Sequence, residues 1–180
     1  MSYETTPGPL ERFPWALRAE SFADESIFHS PRASWTPGAW QDEPDIVEWR
    51  APGIPYPLLI VRGRTGCLCG YVGLPKGHPL HGMWQGDRTR FTWSESPEEI
   101  NAAFQCGGVY VPTGEPPTCW WLGFHCGAMH ELMPAVPLPA EPVGGRSYVS
   151  LDEVRTRVEE LGLALSRFPG SHLLGSDRPS

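Results

Sequence analysis

Positions 73–82 read GLPKGHPLHG and place His78 and His81 three residues apart among glycines and prolines. A turn or 3₁₀ segment brings side chains at that spacing together, so the pair could face one metal ion. Histidine is a common zinc ligand, but zinc asks for three or four protein ligands and this loop supplies two. The same residues also suit a substrate loop, or a plain turn whose imidazoles bond to nearby carbonyls. A second group lies at 124–134, FHCGAMHELMP, with His125, Cys126, His130 and Glu131. His125 and Cys126 end a strand-like run, so their side chains point to opposite faces. The histidines are five apart and flanked by Gly127 and Pro134, which excludes the helical metalloprotease motif. Two readings stand for this segment. One is a strand-end site that joins His125, His130 or Glu131 to His78. The other is a buried histidine with a satisfied hydrogen bond.

Cys106 precedes a Gly-Gly pair. It can serve as a nucleophile if a histidine lowers its pKa, or as a small buried residue. Cys67 and Cys69 of CLC would sit on one face of a strand, and no second Cys pair at zinc-finger spacing follows. Trp84, Trp93, Trp120 and Trp121 offer stacking faces for a base, or bulk for a core. Arg50, Arg62, Arg64, Arg88 and Arg90 are available to pair with phosphate.

These residues must be held by elements that the hydrophobic pattern outlines. YPLLIVRG (56–63) and CLCGYVGL (67–74) read as two strands joined by a tight connection, a β-hairpin. RFTWS, GGVYV (107–111) and CWWLGFHC (119–126) read as further strands, and SPEEINAAF as a short internal helix capped by Ser96. SLDEVRTRVEELGLALSRF is the one long helix. Ser150 caps it, Glu153 completes a capping box, and Leu151, Val154, Val158, Leu161 and Leu165 form its apolar face. Near the start, Leu10, Phe13 and Leu17 have helical spacing, with Pro14 near the helix start. HSPRASWTPGAW reads as an extended arm whose Trp35 and Trp40 pack on the body. The order of elements predicts an α+β fold: a small antiparallel sheet, a long C-terminal helix, one short internal helix and many ordered loops. The division is an N-terminal arm over 1–43, packed on the body or on a partner, one domain over 44–168 and a tail over 169–180.

Bulk composition narrows the function classes. The chain has 180 residues, the length of one domain. Glycine (20) and proline (21) approach twice their usual combined share of about 12%, which favours turns over long helices. The net charge of −7 argues against a surface built to neutralise extended nucleic acid. Five cysteines, an odd number, suggest reduced thiols and a cytoplasmic setting. The first twenty residues carry no apolar stretch of the signal-peptide kind, and no apolar run approaches the roughly 20 residues of a transmembrane helix.

EPDIVEWR (43–50), LCGYVGLPKGHPLHG (68–82), WWLGFHC (120–126) and YVSLDEVR (148–155) resemble a family of small proteins common in actinobacterial phages, prophages and soil bacteria. The resemblance covers roughly residues 43–165, and its GYVG-P-GHPL-G portion is the most specific. The family has no established activity to transfer, but its pattern implies a polar or metal-binding pocket. His78 and Pro79 match its Gly-His-Pro element, and Glu131 its final acid. Cys106, Gly107 and Gly108 stand where the family has His-Gly-Gly. His125 and Cys126 stand at its Asp-Cys, and Ala128 replaces a histidine. The substitutions either rebuild a metal site with softer ligands or mark a catalytic site turned binding pocket.

Three functions follow as expectations. The first is a phage-type protein binding a small, nucleotide-like ligand, as in capture or cleavage of a host immune signal, through His78, His81, Trp84, Trp121, Arg50 and Arg62. The second is a zinc-dependent hydrolase, with His78, Cys106 and His125 as ligands and Glu131, with His125, as its catalytic residues. The third is an interaction module inhibiting a host protein through a Trp-rich surface. Association of two copies stays open in each.

Overall fold

The computed structural model describes residues 12–83, 119–127, 131–136 and 147–169. Five strands, β1 (Arg18–Glu20), β2 (Ile46–Trp49), β3 (Leu58–Arg62), β4 (Leu68–Pro75) and β5 (Cys119–His125), form one sheet. They lie side by side in chain order, each antiparallel to the next. One long helix, α1 (Leu151–Ser166), follows. The class is α+β, as the sequence predicts. The expected strands RFTWS and GGVYV and the internal helix SPEEINAAF fall outside the described residues.

The apolar run of β3 is buried along its whole length, so it packs on both faces. On one face, Leu58 and Ile60 join Val47, Trp49, Leu68, Val72 and Leu122 beneath α1, which contributes Leu151, Val154, Val158, Leu161 and Leu165. Each such side chain fully buried is worth about 1.5–3 kcal/mol. Gly70 lets the helix approach closely, because a Cβ there would lie 2.3 Å from Val158. On the other face Leu59, Val61 and Trp121 form a smaller cluster with Tyr71 and Cys119 at its edge. Ser150 caps α1 and Glu153 reciprocates in a capping box.

The N-terminal segment departs from expectation. The helix suggested by Leu10, Phe13 and Leu17 does not run through 13–20. A turn closes from the Ala16 amide to the Phe13 carbonyl at 2.9 Å, the Leu17 amide donates to the Glu48 carbonyl at 2.7 Å, and β1 pairs with β2. Pro14 cannot continue a helical ladder, and Leu17 is 69% exposed, so its spacing marked no buried face. Residues 21–44 then cross the end of the sheet through short 3₁₀ turns. Phe28, Trp35 and Trp40 pack there with Ala135 as a second core.

What ties the segment down is a buried charge network. Asp45 and Arg62 are 0% and 1% exposed. Arg62 Nε donates to Asp45 Oδ1 at 2.7 Å, and Arg32 Nη2 reaches both Asp45 oxygens at 2.7 Å. The Phe22 amide donates to Asp45 Oδ2 at 2.9 Å. Glu43 accepts from the Tyr148 hydroxyl at 2.5 Å, from Arg62 at 3.3 Å and from the Leu151 amide at 2.8 Å. Burial alone would lower the Arg62 pKa. Tyr148, Asp45 and Glu43 outweigh it and hold the guanidinium charged. Removing one partner leaves an uncompensated buried charge, which costs about 3–5 kcal/mol. Asp45→Ala and Arg62→Ala should each lower unfolding stability by that amount in urea titrations. The double variant Asp45→Leu/Arg62→Met should lose much less than the sum.

Candidate functional site

The GLPKGHPLHG segment leaves β4 and coils back on itself. The His78 amide donates to the Pro75 carbonyl at 3.1 Å, His81 to His78 at 2.9 Å and Met83 to Leu80 at 3.3 Å. His78 is buried, 3% exposed, between Tyr56 at 5.5 Å and Phe168 at 6.3 Å between ring centroids. Its Nδ1 accepts from the Leu80 amide at 3.1 Å. That leaves the proton on Nε2, which lies 3.3 Å from the Leu165 carbonyl and donates to it. Both ring nitrogens are therefore engaged, and the imidazole joins the loop to the last turn of α1. His81 is half-buried, 6.1 Å from Trp120 between ring centroids.

His125 lies at the other end of the sheet. It pairs with Cys69, whereas Pro75, three residues before His78, pairs with Cys119. The six residues from Cys69 to Pro75 span about 20 Å at roughly 3.3 Å per residue. The structure therefore does not bring His78 to His125 or Glu131, and the expected joint site of these residues is not formed. A shared zinc ion would require ligands within roughly 2.0–2.3 Å of one point. Cys106 and Trp84 lie outside the described residues, as do Arg88, Arg90 and His130. Among the described residues no three His, Cys, Asp or Glu side chains are grouped to hold a metal ion.

The β3–β4 hairpin end gathers different chemistry. His125 is exposed there. Glu131 is buried, forms a parallel bridge with Ser147, and has Arg157 Nη1 3.9 Å from its carboxylate. Burial pushes the Cys69 thiol up to about 11 and Cys126 to about 12, and it raises Cys67 as well. These thiols are protonated at neutral pH, so none is an activated nucleophile. Trp121 is buried at 8% exposure against Leu59 and Val61. Arg62 is spent in its buried network. Arg50 is exposed and donates to the Pro55 carbonyl at 3.3 Å.

A crevice opens at this end between the N-terminal segment and residues 132–136. Ser30, Ser34 and Thr36 line one wall, and Leu132, Met133, Pro134 and Val136 the other, around about 230 Å³. Ser30 Oγ donates to the Ala135 carbonyl at 2.8 Å, and the Ala135 amide to Thr65 at 2.9 Å. Gly66, at φ 81°, permits this close packing, since a Cβ there would meet the Ala135 nitrogen at 2.9 Å. His29 and Arg64 adjoin these lining and bracing residues in the chain; both are exposed, and the His29 amide donates to the Arg64 carbonyl at 2.9 Å. Sequence reasoning missed the crevice because its walls are about 100 residues apart. The only local hint was the run of small hydroxyl residues in SPRASWT.

No protein-family model, curated protein or solved structure matches the chain. No helix among the described residues is long and apolar enough to cross a membrane.

Burial lowers the His78 pKa, so the unfolded chain takes up this proton before the folded one does. The imidazole's stabilising contribution is complete above the unfolded value of about 6.5 and is lost as pH falls below it. His78→Ala should cost about 2–4 kcal/mol at pH 7.5 from two lost hydrogen bonds and a cavity. In urea titrations at pH 7.5 and 5.5, wild type should lose more stability on acidification than the variant does.

Proposed function

We propose that the protein binds a small, nucleotide-like ligand in the crevice between residues 30–36 and 132–136. The observation that carries this reading is a braced cleft with one hydroxyl wall and one apolar wall, the mixture that suits a heterocycle with polar edges. Its volume of about 230 Å³ lies below the roughly 300–1,000 Å³ typical of drug-sized ligands. A mononucleotide-sized group therefore suits it better than a dinucleotide enclosed whole. Exposed Arg64 and His29 supply donors for a phosphate outside the cleft. A host signalling nucleotide, the ligand suggested by the phage-family resemblance, belongs to this chemical class. The Trp-surface reading has less support among the described residues: Trp35, Trp40, Trp49 and Trp121 are buried and Trp15 and Trp120 half-buried, while Trp84 and Trp93 lie outside them.

Calorimetry against nucleosides, nucleoside monophosphates and cyclic nucleotides tests the reading. At least one monophosphate should bind. Thr36→Trp, a filling substitution at an exposed position, should weaken it at least tenfold. Arg64→Ala should weaken the monophosphate about threefold and leave the nucleoside unchanged, as expected for one exposed charge-assisted contact. Absence of binding across the panel, or binding indifferent to Thr36→Trp, would overturn the proposal.

A further inference from the structure

The walls of the crevice are short of hydrogens to give. Ser30 Oγ lies 2.8 Å from the Ala135 carbonyl, and Ser34 Oγ 2.7 Å from the Pro31 carbonyl. A carbonyl carries no hydrogen, so in each contact the hydroxyl is the donor. A hydroxyl has one hydrogen and two lone pairs. With the hydrogen spent inside the protein, each of these oxygens can only accept from a ligand. The backbone follows the same pattern. The Ser34 amide donates to the Pro31 carbonyl at 2.8 Å, Leu132 to Ser147 at 3.0 Å and Val136 to Met133 at 3.0 Å. Pro134 has no amide hydrogen, and the Met133 thioether can only accept. Trp35, between Ser34 and Thr36, turns its indole N–H to the Ser30 carbonyl at 3.0 Å. Of the three lining hydroxyls, only that of exposed Thr36 can turn either way.

We infer that the crevice selects nucleobases that carry an exocyclic amino group, with Ser30 and Ser34 as the accepting atoms. This rests on the nucleotide reading above and adds which bases the site admits. The amino groups of adenine, cytosine and guanine bring N–H donors to a wall that offers lone pairs. A base edge that presents a carbonyl instead sets lone pair against lone pair and leaves both oxygens without the water they bonded. Ser30 cannot relieve this by rotating. It is half-buried, and turning its hydrogen toward the ligand would break the bond to Ala135 that braces one wall on the other. Leu132, Pro134 and Val136 give the opposite wall its apolar surface for the ring.

Calorimetry on the full chain with pairs of nucleoside monophosphates that differ only in the amino group tests the selection. The pairs are guanosine and inosine, adenosine and purine riboside, and cytidine and pyrimidin-2-one riboside. The tightest ligand should carry the amino group, and its deamino partner should bind about fivefold weaker or worse, the loss of one hydrogen bond. In the double variant Ser30→Ala/Ser34→Ala, checked for folding by thermal unfolding, that ratio should fall toward one. Equal or tighter binding of the deamino partners by wild type needs no variant to interpret: it would overturn the selection and leave nucleotide binding in place. A ratio undiminished in the folded double variant would overturn the role of the two serines. Binding of no member of any pair would overturn the nucleotide reading, and the selection with it.

Discussion

The buried contact between Asp45 and Arg62 is the constraint on which the rest of the fold depends. Two ions taken out of water cost several kcal/mol each unless their remaining hydrogen bonds are satisfied. Here they are. Asp45 accepts from Arg62, Arg32 and the Phe22 amide, while Arg62 donates also to Gly66, Tyr148 and Glu43. The partners come from three separate parts of the chain. Arg32 and Phe22 belong to the N-terminal segment, Gly66 to the hairpin, and Tyr148 precedes the helix. Glu43 closes the set by accepting from the first helical amide, Leu151, which also places a carboxylate at the positive end of α1. A dehydrated ion pair thus ties the N-terminal segment to a hairpin and a helix that already share the main apolar core. The cluster of Phe28, Trp35 and Trp40 is separate from the main core. Arg32 links the two systems, its guanidinium 5.0 Å from the Trp35 ring while it holds Asp45.

That anchoring divides the sheet into two ends with different work. At the far end of β4 the GHPLH loop is folded onto the helix terminus, and its histidine fills a structural place. At the hairpin end, the same network holds the N-terminal segment against residues 132–136, where the crevice opens. At the far end both ring nitrogens of His78 are already paired, one with the Leu165 carbonyl and one with the Leu80 amide.

Local signals in the sequence were legible and long-range ones were not. The β3–β4 hairpin, β5 and the helix with its Ser150–Glu153 box follow from hydrophobic period and capping, both written within a few residues. The helix expected from Leu10, Phe13 and Leu17 does not continue past Arg12, because Phe13 and Leu17 fall in a turn that leads into an edge strand and Pro14 cannot extend a helical ladder; Leu10 lies outside the described residues. His78 and His125 were joined on paper because both follow or end strands. Only the antiparallel register of β4 on β5 reveals that these are opposite ends. Arg62 read as a free cation, since nothing near it announces Asp45, Glu43 and Tyr148 as partners.

Native-state hydrogen exchange at three amides tests most directly whether the network couples these elements. The Phe22 amide bonds Asp45, the Arg62 amide bonds the Asp45 carbonyl, and the Leu151 amide bonds Glu43. They report in turn on the N-terminal segment, the sheet and the helix start. One cooperative unit predicts opening free energies that agree within about 1 kcal/mol and fall together in Asp45→Asn. Exchange at Phe22 a hundredfold faster than at Arg62, a gap of about 2.7 kcal/mol, would mean that the segment opens alone. The crevice would then lack the fixed wall on which this account relies.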